Sequence, residues 1–120
     1  MRLPAPNVLS ICGDTNAIAR DLVECGANAI NVDNRNDLAR TRQIIGPDAI
    51  LMGNFDPVGV LSRGTLAAVR STVVTIANAG ANAIVPGCDL YPEVPDENMR
   101  ALIEASHSLV GADRVSGTSP

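Results

Sequence analysis

Four short apolar runs, at about residues 7–12, 28–33, 49–54 and 82–87, stand between stretches of helical periodicity, and this alternation constrains the fold more than any other feature. The runs are nearly continuous, as in Ala49-Ile50-Leu51-Met52, which suits parallel strands covered by helices better than strands with one wet face. Between them, Ile18, Leu22 and Cys25 fall at i, i+4, i+7 after a candidate cap at Thr15, and Leu66, Val69, Val73 and Ile76 mark a longer stripe after Thr65. A weaker helix spans residues 36–45, where Leu38 and Ile45 share a face and Gly46-Pro47 stops the chain. The last helix opens at Pro95 with Asp96 and Glu97 in its first turn, where the helix dipole favours carboxylates. It is expected to bury Met99, Leu102, Ile103 and Ser106, and residues 111–120 read as a disordered tail.

The order β-α repeated four times demands right-handed crossovers and a parallel sheet, an α/β fold in one domain over residues 1–120. Gly26-Ala27-Asn28-Ala29-Ile30 recurs as Gly80-Ala81-Asn82-Ala83-Ile84, each time where a helix gives way to a strand. A (β/α)8 barrel normally takes about 250 residues, so four units amount to half of one. A small doubly wound sheet would fit the same pattern.

Composition removes several classes of function. Nine arginines and no lysine stand against thirteen acids, a net charge of -4, the wrong sign for a nucleic-acid surface. Without lysine there is neither a Schiff base nor a phosphate-binding P-loop. One tyrosine and one phenylalanine offer no stacking platform for bases. No stretch reaches the roughly 20 apolar residues of a membrane span, and the amino terminus lacks a signal-peptide run, so a cytoplasmic location is expected. Three cysteines, an odd number, argue for reduced thiols rather than a disulfide framework.

In a parallel α/β fold the functional residues gather at the carboxyl ends of the strands. Those ends carry Ser10-Ile11-Cys12-Gly13-Asp14-Thr15, Asp33-Asn34, Gly53-Asn54-Phe55-Asp56-Pro57 and Pro86-Gly87-Cys88-Asp89. Two thiols, several carboxylates and two glycine turns thus converge on one rim, whereas the opposite rim holds mostly Gly, Ala and Asn. A single free cysteine is most often core filler, and Cys25, on a helix stripe, takes that reading. Cys12 and Cys88 differ, since each ends a strand, adjoins glycine and has an aspartate within two positions; together they suit a metal site with an open position. Asp14 with Asp33 could instead form an acid-base pair, and Asn54 and Asp56 could simply cap the turn before Pro57.

The segments around Cys12, Asn54 and Cys88, followed by Pro95-Asp96-Glu97-Asn98, resemble the carboxyl-terminal part of the uroporphyrinogen decarboxylase superfamily, over about residues 7–109. The Pro-Gly-Cys segment resembles most the zinc-dependent corrinoid methyltransferases of the methylcobalamin:coenzyme M type, whose zinc-binding cysteine Cys88 matches. In that group the first strand ends in His-x-Cys, both binding zinc; here Cys12 is retained and Ser10 stands at the histidine position. A serine hydroxyl is a poor zinc ligand beside imidazole, so Asp14, Asp89 or water would have to complete the shell. His107, in the last helix, is expected to face solvent.

The resemblance implies zinc held by Cys12 and Cys88, a substrate thiol activated as its thiolate, and methylcobalamin on a corrinoid protein as methyl donor. Asp14, Asp33, Asn54, Asp56 and Asp89 would line the substrate pocket. A non-catalytic half-barrel with a binding or structural role is the main alternative. Porphyrinogen decarboxylation ranks lower, because arginines such as Arg20, Arg40 and Arg70 fall within helices rather than at the rim. Four units would leave two open sheet edges and apolar surface around Ile30, Val32, Leu51 and Val85, so a homodimer or association with an amino-terminal half is expected. The isolated chain should then have little or no activity.

Overall fold

The computed structural model describes residues 3–115. Four parallel strands, β1 (Val8–Ile11), β2 (Ala29–Val32), β3 (Leu51–Phe55) and β4 (Ala83–Pro86), form one sheet in the order β1-β2-β3-β4. Helices α1 (Ala19–Glu24), α2 (Leu38–Ile45), α3 (Leu66–Asn78) and α4 (Asp96–Val115) follow the strands in turn. A 3-10 turn precedes α1 and a π-helical turn, Pro57–Ser62, precedes α3. Sequential neighbours throughout the sheet exclude the doubly wound alternative, whose strand order reverses, and leave the half-barrel. No helix is long and apolar enough to cross a membrane among the described residues.

Strand register explains which face is covered. Leu9 lies beside Ile30, Ile30 beside Leu51, and Val32 beside Gly53, and with Ile11, Phe55 and Ile84 these residues pack against Leu22, Leu38, Val69, Val73, Ile76, Ala101 and Leu102 of the four helices. Ile30, Val32 and Leu51 are therefore core, not the open surface expected from the sequence. Side chains alternate along a strand, so a one-residue error in phase exchanges the faces. The face away from the helices carries Val8, Ser10, Asn31, Met52 and Val85, of which Val8 is 52% exposed.

Helix starts follow local chemistry. Thr65 Oγ1 accepts from the Ala68 N–H, as expected of a cap, and Asp37 caps α2 by accepting from the Arg40 N–H. Gly46, at φ 82°, ends α2 in a conformation that suits glycine. Thr15 does not cap; its N–H and hydroxyl both reach Asn36 Oδ1. In α1 the buried residues are Ala19 and Leu22, whereas Ile18 and Cys25 are exposed, because the helix is only six residues long and Ile18 precedes it. In α4 Asn98, Ala101 and Leu102 are buried and Ile103 is 47% exposed. The helix also runs on to Val115, through part of the expected tail, and residues 116–120 lie outside those described.

The repeated pentapeptide has one structural task. Asn28 Oδ1 accepts from the Asn7 N–H at 2.8 Å, and Asn82 Oδ1 accepts from the Leu51 N–H at 2.9 Å. The backbone N–H of each asparagine donates in return to the carbonyl of the same partner residue. Each copy thus latches the start of its strand to the neighbouring strand, satisfying groups at the amino rim. At the second copy the Arg42 guanidinium adds bonds to the carbonyls of Gly46, Ala49 and Gly80 and to Asn82 Oδ1.

Candidate metal centre

β1 and β4 lie at opposite edges of the sheet, so in a flat sheet three strand spacings would separate them by about 14 Å. The Cα atoms of Cys12 and Cys88, just beyond those strands, are 5.6 Å apart. The sheet curves, and the turns after β1 and β4 lean inward over the end of β2. Two glycines permit this approach. Gly13 takes φ 92°, which L side chains rarely adopt. At Gly87, a Cβ would stand 3.0 Å from the carbonyl carbon of Asp33 and 3.2 Å from its Cα, so this position accepts nothing larger while Cys88 is held beside Asp33.

Asp33 is the third member of the cluster. It is 5% exposed, Oδ2 accepts from the Gly13 N–H at 2.7 Å, and Oδ1 accepts from the Arg35 N–H at 2.9 Å. These bonds aim the carboxylate at the turn that carries Cys12. One sulfur from Cys12, one from Cys88 and a carboxylate oxygen of Asp33 all lie within 4.8 Å of one another, a donor set able to hold a metal ion. Cys12 is exposed and Cys88 half-buried.

The two sulfurs are joined as a disulfide, with Cys25 left as the free thiol. The expectation that every thiol is reduced is thereby corrected for Cys12 and Cys88. An odd cysteine count does not say which residues meet, and the Cα separation brought about by the inward turns falls within the range a disulfide spans. The metal-ligating and disulfide forms are mutually exclusive, since a bonded sulfur is not a thiolate.

The other rim residues expected from the sequence are distributed differently. Ser10 is exposed, outside the cluster, and its Oγ accepts from Asn31 Nδ2 at 3.1 Å. Asp14 accepts from the Asn16 N–H, and Asp89 is exposed; neither belongs to the cluster. Asp56 caps the π-helical turn by accepting from the N–H groups of Val58 and Gly59. Asn54 donates to the carbonyls of Asp33 and Asn36 at 3.2 and 2.9 Å, bracing the turn that presents Asp33. His107 is exposed on α4 and is not part of the cluster.

Asn36 is the organising residue that inspection of the sequence misses. It is 4% exposed; its oxygen accepts from Thr15, and its amide donates to the carbonyls of Gly13 and Asp33 at 3.1 Å each. One side chain therefore ties the turn after β1 to the turn after β2. The signal in the sequence, an asparagine two residues before a helix, resembles an ordinary turn residue. Asn31, on the face away from the helices, has its Oδ1 buried without a hydrogen-bond partner.

Comparison with known proteins places the chain in a family. A methylcobamide:CoM methyltransferase of Methanosarcina barkeri is 33% identical over 99 residues, which make up 82% of this chain and 29% of that protein. A uroporphyrinogen decarboxylase of Gloeobacter violaceus is 33% identical over 95 residues, 77% of this chain and 27% of that protein. The solved structure of a methyltransferase from Methanosarcina mazei superposes with a TM-score of 0.80 at 29% identity, covering 86% of this chain and 31% of the other. The chain thus spans about three tenths of the length of the relatives it matches. The profile of the uroporphyrinogen decarboxylase (URO-D) family matches residues 2–109, almost the whole sequence, and with four consecutive parallel βα units beneath that match the chain belongs to the URO-D family.

Proposed function

We propose that this chain forms the zinc-binding part of a corrinoid-dependent thiol methyltransferase, with Cys12, Asp33 and Cys88 as the protein ligands in the reduced state. The convergence of these three residues from the ends of β1, β2 and β4 carries the reading. Three protein donors with a further position open match catalytic rather than closed structural zinc sites. Asp33 takes the place that the sequence left to Asp14, Asp89 or water, and Ser10 is not needed as a ligand.

Zinc bound there would supply a Lewis acid that lowers the pKa of a coordinated thiol from about 8.5 and so favours its thiolate at neutral pH. The chain's own residues do the rest. Cys12 and Cys88 bind as thiolates, and three anionic donors outweigh the charge of a divalent ion, keeping a bound sulfur electron-rich. The Gly13 and Arg35 N–H groups hold the Asp33 carboxylate in place while leaving it lone pairs for a metal. The methyl donor is a corrinoid-bound methyl group and the acceptor a small thiol, by similarity to the methylcobamide:CoM methyltransferases.

A non-catalytic half-barrel is the second reading. It is supported by Ser10 at the position where the resembling methyltransferases carry histidine, and by the chain's spanning about three tenths of its relatives. Zinc analysis of the reduced protein separates the two. The proposal expects near-stoichiometric zinc in the parent chain and its loss in folded Cys12→Ser, Cys88→Ser and Asp33→Asn variants. Retention of zinc in both cysteine variants would remove the assignment. Ser10→His should tighten zinc binding by about tenfold, equivalent to about 1.4 kcal/mol.

A further inference from the structure

We propose that Cys12 is a thiol-exchange site, at which a small thiol opens the Cys12–Cys88 disulfide and releases the metal ligands. Three observations carry it. The two cysteines are joined, although 76 residues apart in sequence, across the turns that follow the two edge strands. Their sulfurs are also two of the three donors in the cluster, so the bond between them closes the site. Finally, Cys12 is exposed and Cys88 half-buried, and thiol exchange depends on which sulfur an incoming thiolate can reach.

The chemistry balances with the thiol as reductant. A small thiol loses its proton to solvent, and its thiolate attacks Cys12 Sγ in line with the disulfide. The bond between thiol sulfur and Cys12 forms, the Cys12–Cys88 bond breaks, and Cys88 leaves as thiolate. A second thiol attacks the mixed disulfide at the sulfur of the first, giving a small-molecule disulfide and Cys12 thiolate. Overall, two thiols are oxidised to one disulfide and the protein disulfide is reduced to two cysteines. Attack at Cys12 is favoured by access, and the Asp33 carboxylate need not move, because the backbone of Gly13 and Arg35 holds it. The coupling to metal binding rests on the zinc reading above; the exchange at Cys12 does not.

The test uses the full chain with Cys25→Ser, which removes the exposed free thiol. The protein is prepared without reductant and exposed to limiting 2-mercaptoethanol. It is then quenched with iodoacetamide and mapped by peptide mass spectrometry, with zinc uptake followed in parallel. The expected result is a mercaptoethanol adduct on the Cys12 peptide at about tenfold the level on the Cys88 peptide, the latter carrying the alkyl group. Zinc uptake should appear only after reduction. An adduct at Cys12 under limiting thiol, with no zinc uptake by a second sample fully reduced with excess 2-mercaptoethanol and then freed of it, would support the exchange site and overturn the zinc reading. Preferential adduct at Cys88, or cysteines that are both alkylated before any thiol is added, would overturn the proposal.

Discussion

Asp33 shows how one side chain can carry both the integrity of a turn and the chemistry of a site. Its carboxylate accepts two backbone N–H groups while lying beside two sulfurs. In Asp33→Asn an amide oxygen can satisfy one of those donors and its NH2 group faces the other, so we expect a loss of about 1–3 kcal/mol in urea unfolding along with weakened zinc binding. Gly87→Ala acts through space alone. Its methyl group would press on the Asp33 backbone, and we expect a destabilisation of about 1–3 kcal/mol by the same measurement, with the parent stability retained if the packing is looser than described. Cys12, Asp33 and Cys88 were legible as candidates because thiols and carboxylates at strand ends are unusual in so apolar a chain. Their selection from a larger set was not, since it depends on Asn36 and Asn54, whose side-chain bonds to backbone carbonyls leave no mark in residue type or spacing.

At the level of elements, strand and helix positions were readable wherever propensity and tertiary context agree. The apolar runs became β1 to β4, the Thr65 cap formed, and Gly46 ended α2. Phase within the strands was not readable, because an almost continuous apolar run does not say which alternate residues meet the helices. The repeated pentapeptide is visible in the sequence as a repeat but not as a latch, and nothing in residue type or spacing marks Arg42, since an arginine in a helix looks like a solvated one. Its guanidinium joins α2 to the starts of β3 and β4 through carbonyls and Asn82. Arg42→Ala should therefore cost about 2 kcal/mol in chemical denaturation, the scale of hydrogen bonds to a charged group, whereas exposed Arg40→Ala should change stability by under about 0.5 kcal/mol. Equal effects would mean that the latch is not what holds the amino rim.

Across the whole molecule, the helices cover one face of the sheet and leave the other, with β1 and β4 as edges. Exposed Val8 lies on that open face, near a cleft of about 590 Å3 beside the amino end of β1. In a closed (β/α)8 barrel the face of the strands turned away from the helices lines the interior. We expect the isolated chain to self-associate through this face, giving a dimer in sedimentation velocity at micromolar concentration; a folded monomer would show that the open face is stable in water. The same geometry predicts little methyl transfer from methylcobalamin to a small thiol by this chain alone. The proposed metal centre draws Cys12, Asp33 and Cys88 together from three strand ends. Zinc-edge X-ray absorption of the reduced, zinc-loaded Cys25→Ser protein tests it most directly. Two sulfur ligands at about 2.3 Å are expected, with oxygen ligands completing the shell. A shell of oxygen and nitrogen alone, or one unchanged by Cys88→Ser, would contradict it.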